Sequence, residues 1–143
     1  MTNEDFVTYE QAVRLKALGF DDAEALGCYV THKALGGISL SQKGVVSYCE
    51  EYVCSAPTLS QAAKWLREVH HMHPHVELIY ENDVPKWRWG LVTTRYNGGL
   101  RWHPDRCETY EEALSKGIAE CLEIACIVEG LKTDAEEGGG LCL

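Results

Sequence analysis

The chain has 143 residues, 45% of them apolar and 24% charged, which fits one globular domain with a sizeable core. Its net charge of −9 is uneven: −4 over residues 1–59, +2 over 60–106 and −7 over 107–143, and the middle third holds five of the six histidines. This acidic balance argues against a duplex nucleic acid partner, which needs a basic footprint to displace counterions.

No run of about eighteen apolar residues is present to span a membrane. The acidic start Met1-Thr2-Asn3-Glu4-Asp5 leads into no apolar signal core, so a cytoplasmic location is expected. The seven cysteines are an odd number without a CxxC pair, which disfavours a disulfide framework or a zinc ribbon.

A first helix is predicted from Tyr9 to Leu18, with Ala12, Leu15 and Leu18 as its buried stripe and Gly19 as its stop. Phe20 should pack back as the chain turns through Asp21-Asp22-Ala23-Glu24. Cys28–Lys33 has the composition of a strand, Gly36–Gly44 that of a long polar connection, and Val45–Val53 that of a second strand. A second helix runs from the Thr58 cap with Leu59, Ala62, Trp65, Leu66 and Val69 on its apolar face and ends in His70-His71. Val76–Glu81 alternates as a half-buried strand with Val76, Leu78 and Tyr80 inward, and Asn82-Asp83-Val84-Pro85 makes a turn. Lys86–Tyr96 alternates more clearly: Trp87, Trp89 and Leu91 share one face, Lys86 and Arg88 the other. Asn97-Gly98-Gly99 is a turn, and Leu100-Arg101-Trp102 adds a short last strand. A third helix carries the apolar stripe Tyr110, Ala113, Leu114, Gly117, Ile118, Cys121, Leu122, Ala125 and Val128, in which Gly117 allows close approach to a sheet. Beyond Gly130, residues 131–143 are expected to be a disordered tail, and Cys142 is not placed for prenylation.

The three helices open alike. Thr8, Thr58 and Thr109 each precede Gln or Glu by three residues, the pattern of a capping box. Their spacing of fifty and fifty-one residues fits an internal duplication or convergence on a good cap. Convergence is preferred, because the intervening residues look little alike. The fold expected is α+β: a single domain over residues 1–130, with an antiparallel sheet of four to five strands and three amphipathic helices on one face, in the order α-β-β-α-β-β-(β)-α.

The run Ala56–Glu68, the strand pair after it, Thr109–Leu114 and the opening Thr8–Ala12 with Leu18–Asp21 resemble a group of small proteins. These are encoded by gut Bacteroidetes and their phages and mobile elements. The likeness covers most of the chain, and the group has no assigned activity, so it implies no catalytic residue. In that group the second helix tends to end in His-Gly where this chain has His70-His71, which makes the histidine cluster a local departure. A phage setting implies an accessory or counter-defence protein.

His73 and His75 flank one residue and on a strand would share a face, a two-ligand start for a metal site that lacks a nearby carboxylate or cysteine. The simpler interpretation is a helix C-terminus where histidines meet the last carbonyls. Lys86, Arg88 and Arg95 could hold an anion with Tyr96 or Trp102 stacking on a base; equally, the cations form a solvated face over core tryptophans. GxSxG, GxxxxGK[ST], HExxH and GxGxxG motifs are missing, Glu50-Glu51 would face opposite sides of a strand, and no cofactor is implied. His103, Asp105 and Cys107 carry no positioning argument for a triad. The leading expectation is a non-catalytic cytoplasmic binding protein acting through protein contacts. Sequestration of a small anionic ligand such as a signalling nucleotide comes second, and a metal-dependent hydrolase using the histidines third. Exposed strand edges and uneven charge are compatible with a homodimer.

Overall fold

The computed structural model describes residues 1–20, 25–93 and 98–131. Its helices are α1 (Tyr9–Ala17), α2 (Leu59–Val69) and α3 (Tyr110–Glu129), preceded by a 3-10 turn at Asn3–Asp5. Its strands are β1 (Gly27–His32), β2 (Gly36–Ser41), β3 (Glu50–Ala56), β4 (Met72–Glu81), β5 (Val84–Thr93) and β6 (Gly98–Trp102). The α+β class holds, but the single sheet does not. The strands form two antiparallel three-stranded sheets, ordered β2-β1-β3 and β4-β5-β6.

The additional strand is β2, within the segment expected to be a polar connection. Its Ile38 and Leu40 alternate with Ser39 and Ser41, a period-2 pattern that the glycines around it obscure. Gly36 and Gly37, at φ +70° and +82°, turn the chain back against β1, where Tyr29 pairs with Leu40 and Val30 with Ser39. The His32 ring nitrogen Nδ1 accepts hydrogen bonds from the Ala34 and Leu35 amides and braces that turn. The polar connection is instead 42–49, and the strand expected over Val45–Val53 begins only at Glu50.

Each helix starts where its threonine stands. Thr8 and Thr58 accept from the amides of Gln11 and Gln61, whose side chains accept from the Thr8 and Thr58 amides in return. Both glutamines also make tertiary contacts. Gln11 Nε2 donates to the Ser115 carbonyl of α3 at 2.9 Å and to its hydroxyl at 3.1 Å, and Gln61 Oε1 accepts from the Leu26 amide at 3.4 Å. The third capping box forms only by half. Thr109 accepts from the Glu112 amide, but the Glu112 carboxylate lies near Lys116, at 3.8 Å, instead of returning to the cap.

α3 lies at the centre, against α1, α2, β4 and β5. Ala113, Leu114, Ile118, Cys121, Leu122, Ala125 and Cys126 are buried along it, whereas Tyr110 and Val128 of the expected stripe are exposed. A Cβ on Gly117 would stand 3.0 Å from Pro74 Cβ, so this glycine does permit the close approach. Pro74 is tolerated because β4 is an edge strand. From α1, Ala12 and Leu15 join the core, with Leu18 and Phe20 half-buried at its edge and Phe20 packed edge-on to Trp65. From α2, Leu59, Ala62, Ala63 and Leu66 join it, whereas Val69 is exposed.

Two corrections concern the β4–β5 hairpin. Leu78 and Tyr80 are 42% and 68% exposed rather than inward, because the hairpin extends beyond the helices that cover Val76 and Trp89. The turn is Asn82-Asp83 alone, at φ +52° and +65°, flanked by the pair Glu81–Val84; Pro85 already belongs to β5. The expected alternation in β5 holds: Trp89 is buried and Trp87 and Leu91 are half-buried on the helix side, opposite Lys86 and Arg88.

The two halves both run helix then three strands, but β1 is central in one sheet and β5, the second strand of its half, is central in the other. This difference in strand order favours convergence of the caps over duplication. The turn expected at Asp21–Glu24, the residues Arg95, Tyr96 and Asn97, and the tail from Lys132 lie outside the described residues. No helix among the described residues is long and apolar enough to cross a membrane.

His71, just past the α2 cap, has φ +56°, a left-handed conformation that glycine adopts without a Cβ penalty. We expect His71→Gly to stabilise the fold by about 1 kcal/mol, the left-handed cost less the entropy glycine adds to the unfolded chain. Urea denaturation should show a raised midpoint at unchanged slope.

Candidate functional site

The sequence-predicted residues gather on the solvent face of the second sheet. Lys86, Arg88, Glu77, His73 and His75 lie there by alternation, and Trp102 joins them through its pairing with Gly90. Arg88 donates to Glu77 Oε1 from Nε at 3.1 Å and from Nη2 at 2.6 Å, and its guanidinium carbon lies 3.9 Å over the Trp102 ring. Lys86 is 2.6 Å from Glu108, and Arg106 is 3.1 Å from Glu81. Each of these cations thus has a carboxylate partner, and an incoming anion would have to displace it. Arg95 and Tyr96 fall outside the described residues, so the anion site is only partly described.

His73 and His75 do share a face, with ring centroids 4.3 Å apart, and His75 meets Trp102 edge-on. Pro74 between them does not disturb this geometry, because it turns to the helix side against Gly117. Among the described residues no group of three His, Cys, Asp or Glu is placed to hold a metal ion. The His73 pKa is lowered from its ordinary 6.5, first by desolvation and then by the neighbouring His75 and Arg67.

The His103 ring stacks on Trp89 at 4.2 Å, and its Nδ1 accepts from the Asp105 amide. Cys107 is fully buried, and that burial raises its thiol pKa; the Lys116 cation opposes the shift, and Glu112 and Asp105 reinforce it. Cys121, within α3, is pushed up to about 12, again mainly by burial. Both stay protonated at neutral pH and act as small core residues.

A concavity of about 950 Å³ has no counterpart among the sequence expectations. It lies between the 3-10 turn, the start of α1, strands β1 and β2, and the first turns of α3. Phe6, Val7, Tyr29, Ile38 and Leu40 make its apolar floor, and Tyr29 is held by donating its hydroxyl to the Val7 carbonyl at 2.7 Å. Glu4, Glu111, Glu112 and Lys116 stand on its rim. One end is tied by Gln42 donating to Asn3 at 2.6 Å. Its one sequence signal is the Ile38/Leu40 alternation, since its other walls, residues 3–9, Tyr29 and residues 109–116, are brought together by the fold.

Comparison with protein-family models, curated proteins and solved structures finds no match to this chain. None of the three comparisons supports the resemblance to the Bacteroidetes group.

Two measurements check this description. A histidine whose folded pKa lies below 6.5 binds fewer protons folded than unfolded, so its stabilising contribution is present above that pH and is lost as pH falls through the folded value. An NMR titration should place the His73 midpoint below 6.5, and His75→Asn should move it back upward. Separately, a Cβ on Gly90 would lie 2.5 Å from the Arg101 carbonyl oxygen and 2.9 Å from the Trp102 ring. Gly90→Ala should therefore cost roughly 1–3 kcal/mol in denaturant unfolding and alter the near-UV signal of Trp102.

Proposed function

We propose that this chain is a non-catalytic binding protein acting through protein contacts, and that the groove beside β2 is where a partner engages it. One observation carries this proposal: Ile38 and Leu40 line an open groove above the buried Phe6, Val7 and Tyr29, on a strand whose outer edge is free among the described residues. Apolar surface gathered in a groove favours association, since covering it removes it from water. The outer backbone of β2 offers hydrogen-bonding groups that a second chain can satisfy. A cytoplasmic location, a phage or mobile-element setting with a counter-defence role, and self-association as a homodimer belong to the same proposal.

Affinity capture from the cells that carry the gene tests it, using the wild-type chain and Ile38→Asp. Ile38 is 46% exposed at the groove, so this substitution should leave the thermal midpoint nearly unchanged. We expect a protein recovered with the wild type and reduced about tenfold or more with Ile38→Asp, the loss of a central apolar contact. Equal recovery with both would place the contacts elsewhere. Neighbouring phage genes would support the setting, and housekeeping neighbours would count against it.

A further inference from the structure

Resting on the assignment of the groove to protein contacts, we infer that its partner is an extended segment carrying lysine or arginine at alternate positions, added as a new outer strand beside β2. The first argument concerns the edge itself. Exposed sheet edges are commonly protected by charge or proline against pairing with other chains. Edge strand β3 carries Glu50 and Glu51, β4 carries Pro74, Glu77 and Glu81, and β6 carries Arg101. β2, Gly-Gly-Ile-Ser-Leu-Ser, has neither charge nor proline. Gly36 and Gly37 leave one end open, with nothing within 4 Å of either Cβ position.

The second argument concerns what such a strand would meet. Its side chains alternate between the two faces, so every second one enters the groove. There they pass an apolar and aromatic floor and reach a carboxylate rim. Lysine and arginine match that sequence of surfaces, with an aliphatic stem for Ile38 and Leu40 and a cationic head for the rim. Glu4 and Glu111 have no ion-pair partner among the described residues, and Glu112 shares Lys116 at 3.8 Å with Asp105. The rim therefore carries two formal negative charges beyond Lys116. The N-termini of α1 and α3 offset about half an elementary charge each, which leaves about one negative charge. A second copy of this chain is the poorer occupant, because pairing β2 with β2 about a two-fold axis would face two acidic rims and two chains of net charge −9.

Fluorescence anisotropy with a labelled octapeptide of alternating Lys and Val tests the inference on the full chain. The expected result is saturable binding to the wild type, weakened about tenfold or more by Glu111→Lys or Glu4→Lys, with circular dichroism melting curves showing that each variant folds. Two forms of the peptide, N-methylated at every lysine or at every valine, keep their charge and each lose one hydrogen-bonding edge, and the form that blocks the edge facing β2 should bind at least about tenfold more weakly. Binding that survives N-methylation in both forms is charge adhesion rather than strand addition, and overturns the inference. So does unchanged affinity in Glu111→Lys, tighter binding of the Glu/Val octapeptide, or a sedimenting dimer that Ile38→Asp dissociates. Failure of the octapeptide alongside a captured protein that Ile38→Asp releases would sink this partner chemistry and leave the proposed function standing.

Discussion

Gly117 meets Pro74 where α3 crosses β4, and the core is arranged around that approach. Because position 117 has no side chain, α3 lies close enough for its neighbours Leu114, Ile118 and Cys121 to be buried in a shared core. A glycine inside a helix costs roughly 1 kcal/mol against alanine. The interface it permits removes several large side chains from water, each contributing about 1.5–3 kcal/mol. With α3 seated there, α1 and α2 both pack on it as well.

The capping glutamines complete this arrangement. Gln11 is buried and Gln61 partly so, and each adds a bond to another element to its role at a helix N-terminus. Gln11 joins the first turn of α1 to Ser115, two residues before Gly117. That bond brings the starts of α1 and α3 together beside the first sheet, and the groove is the space left between them and β2. β2 itself is largely exposed, because among the described residues no helix packs closely on it.

Charge is distributed differently over the two candidate surfaces. On the open face of the second sheet three cations among the described residues are matched: Arg88 with Glu77, Lys86 with Glu108, Arg106 with Glu81. Exposed pairs of this kind add little stability, typically below about 1 kcal/mol, but they occupy the donors an anion would need. At the groove the carboxylates outnumber the cations and face apolar surface. The cationic-aromatic strand is legible in the sequence because its residue types are conspicuous within one segment, whereas the groove combines ordinary residues from four separate segments.

The sequence by itself determined the local structure. The three helices begin at their threonines, α3 ends at Gly130 in a left-handed conformation, and Trp87, Trp89 and Leu91 take one face of β5. These features depend on residues within a few positions of one another, through caps, alternation and glycine stops. Only the tertiary structure decided that the strands divide into two sheets, that Leu78 and Tyr80 lie beyond the helices, and that Lys86 and Arg88 are paired. It also decided that residues from the 3-10 turn, β2 and α3 enclose a groove. Strand partners and ion pairs are chosen by packing between distant segments, and a charged side chain carries the same letter whether its partner is water, a neighbouring carboxylate or a ligand.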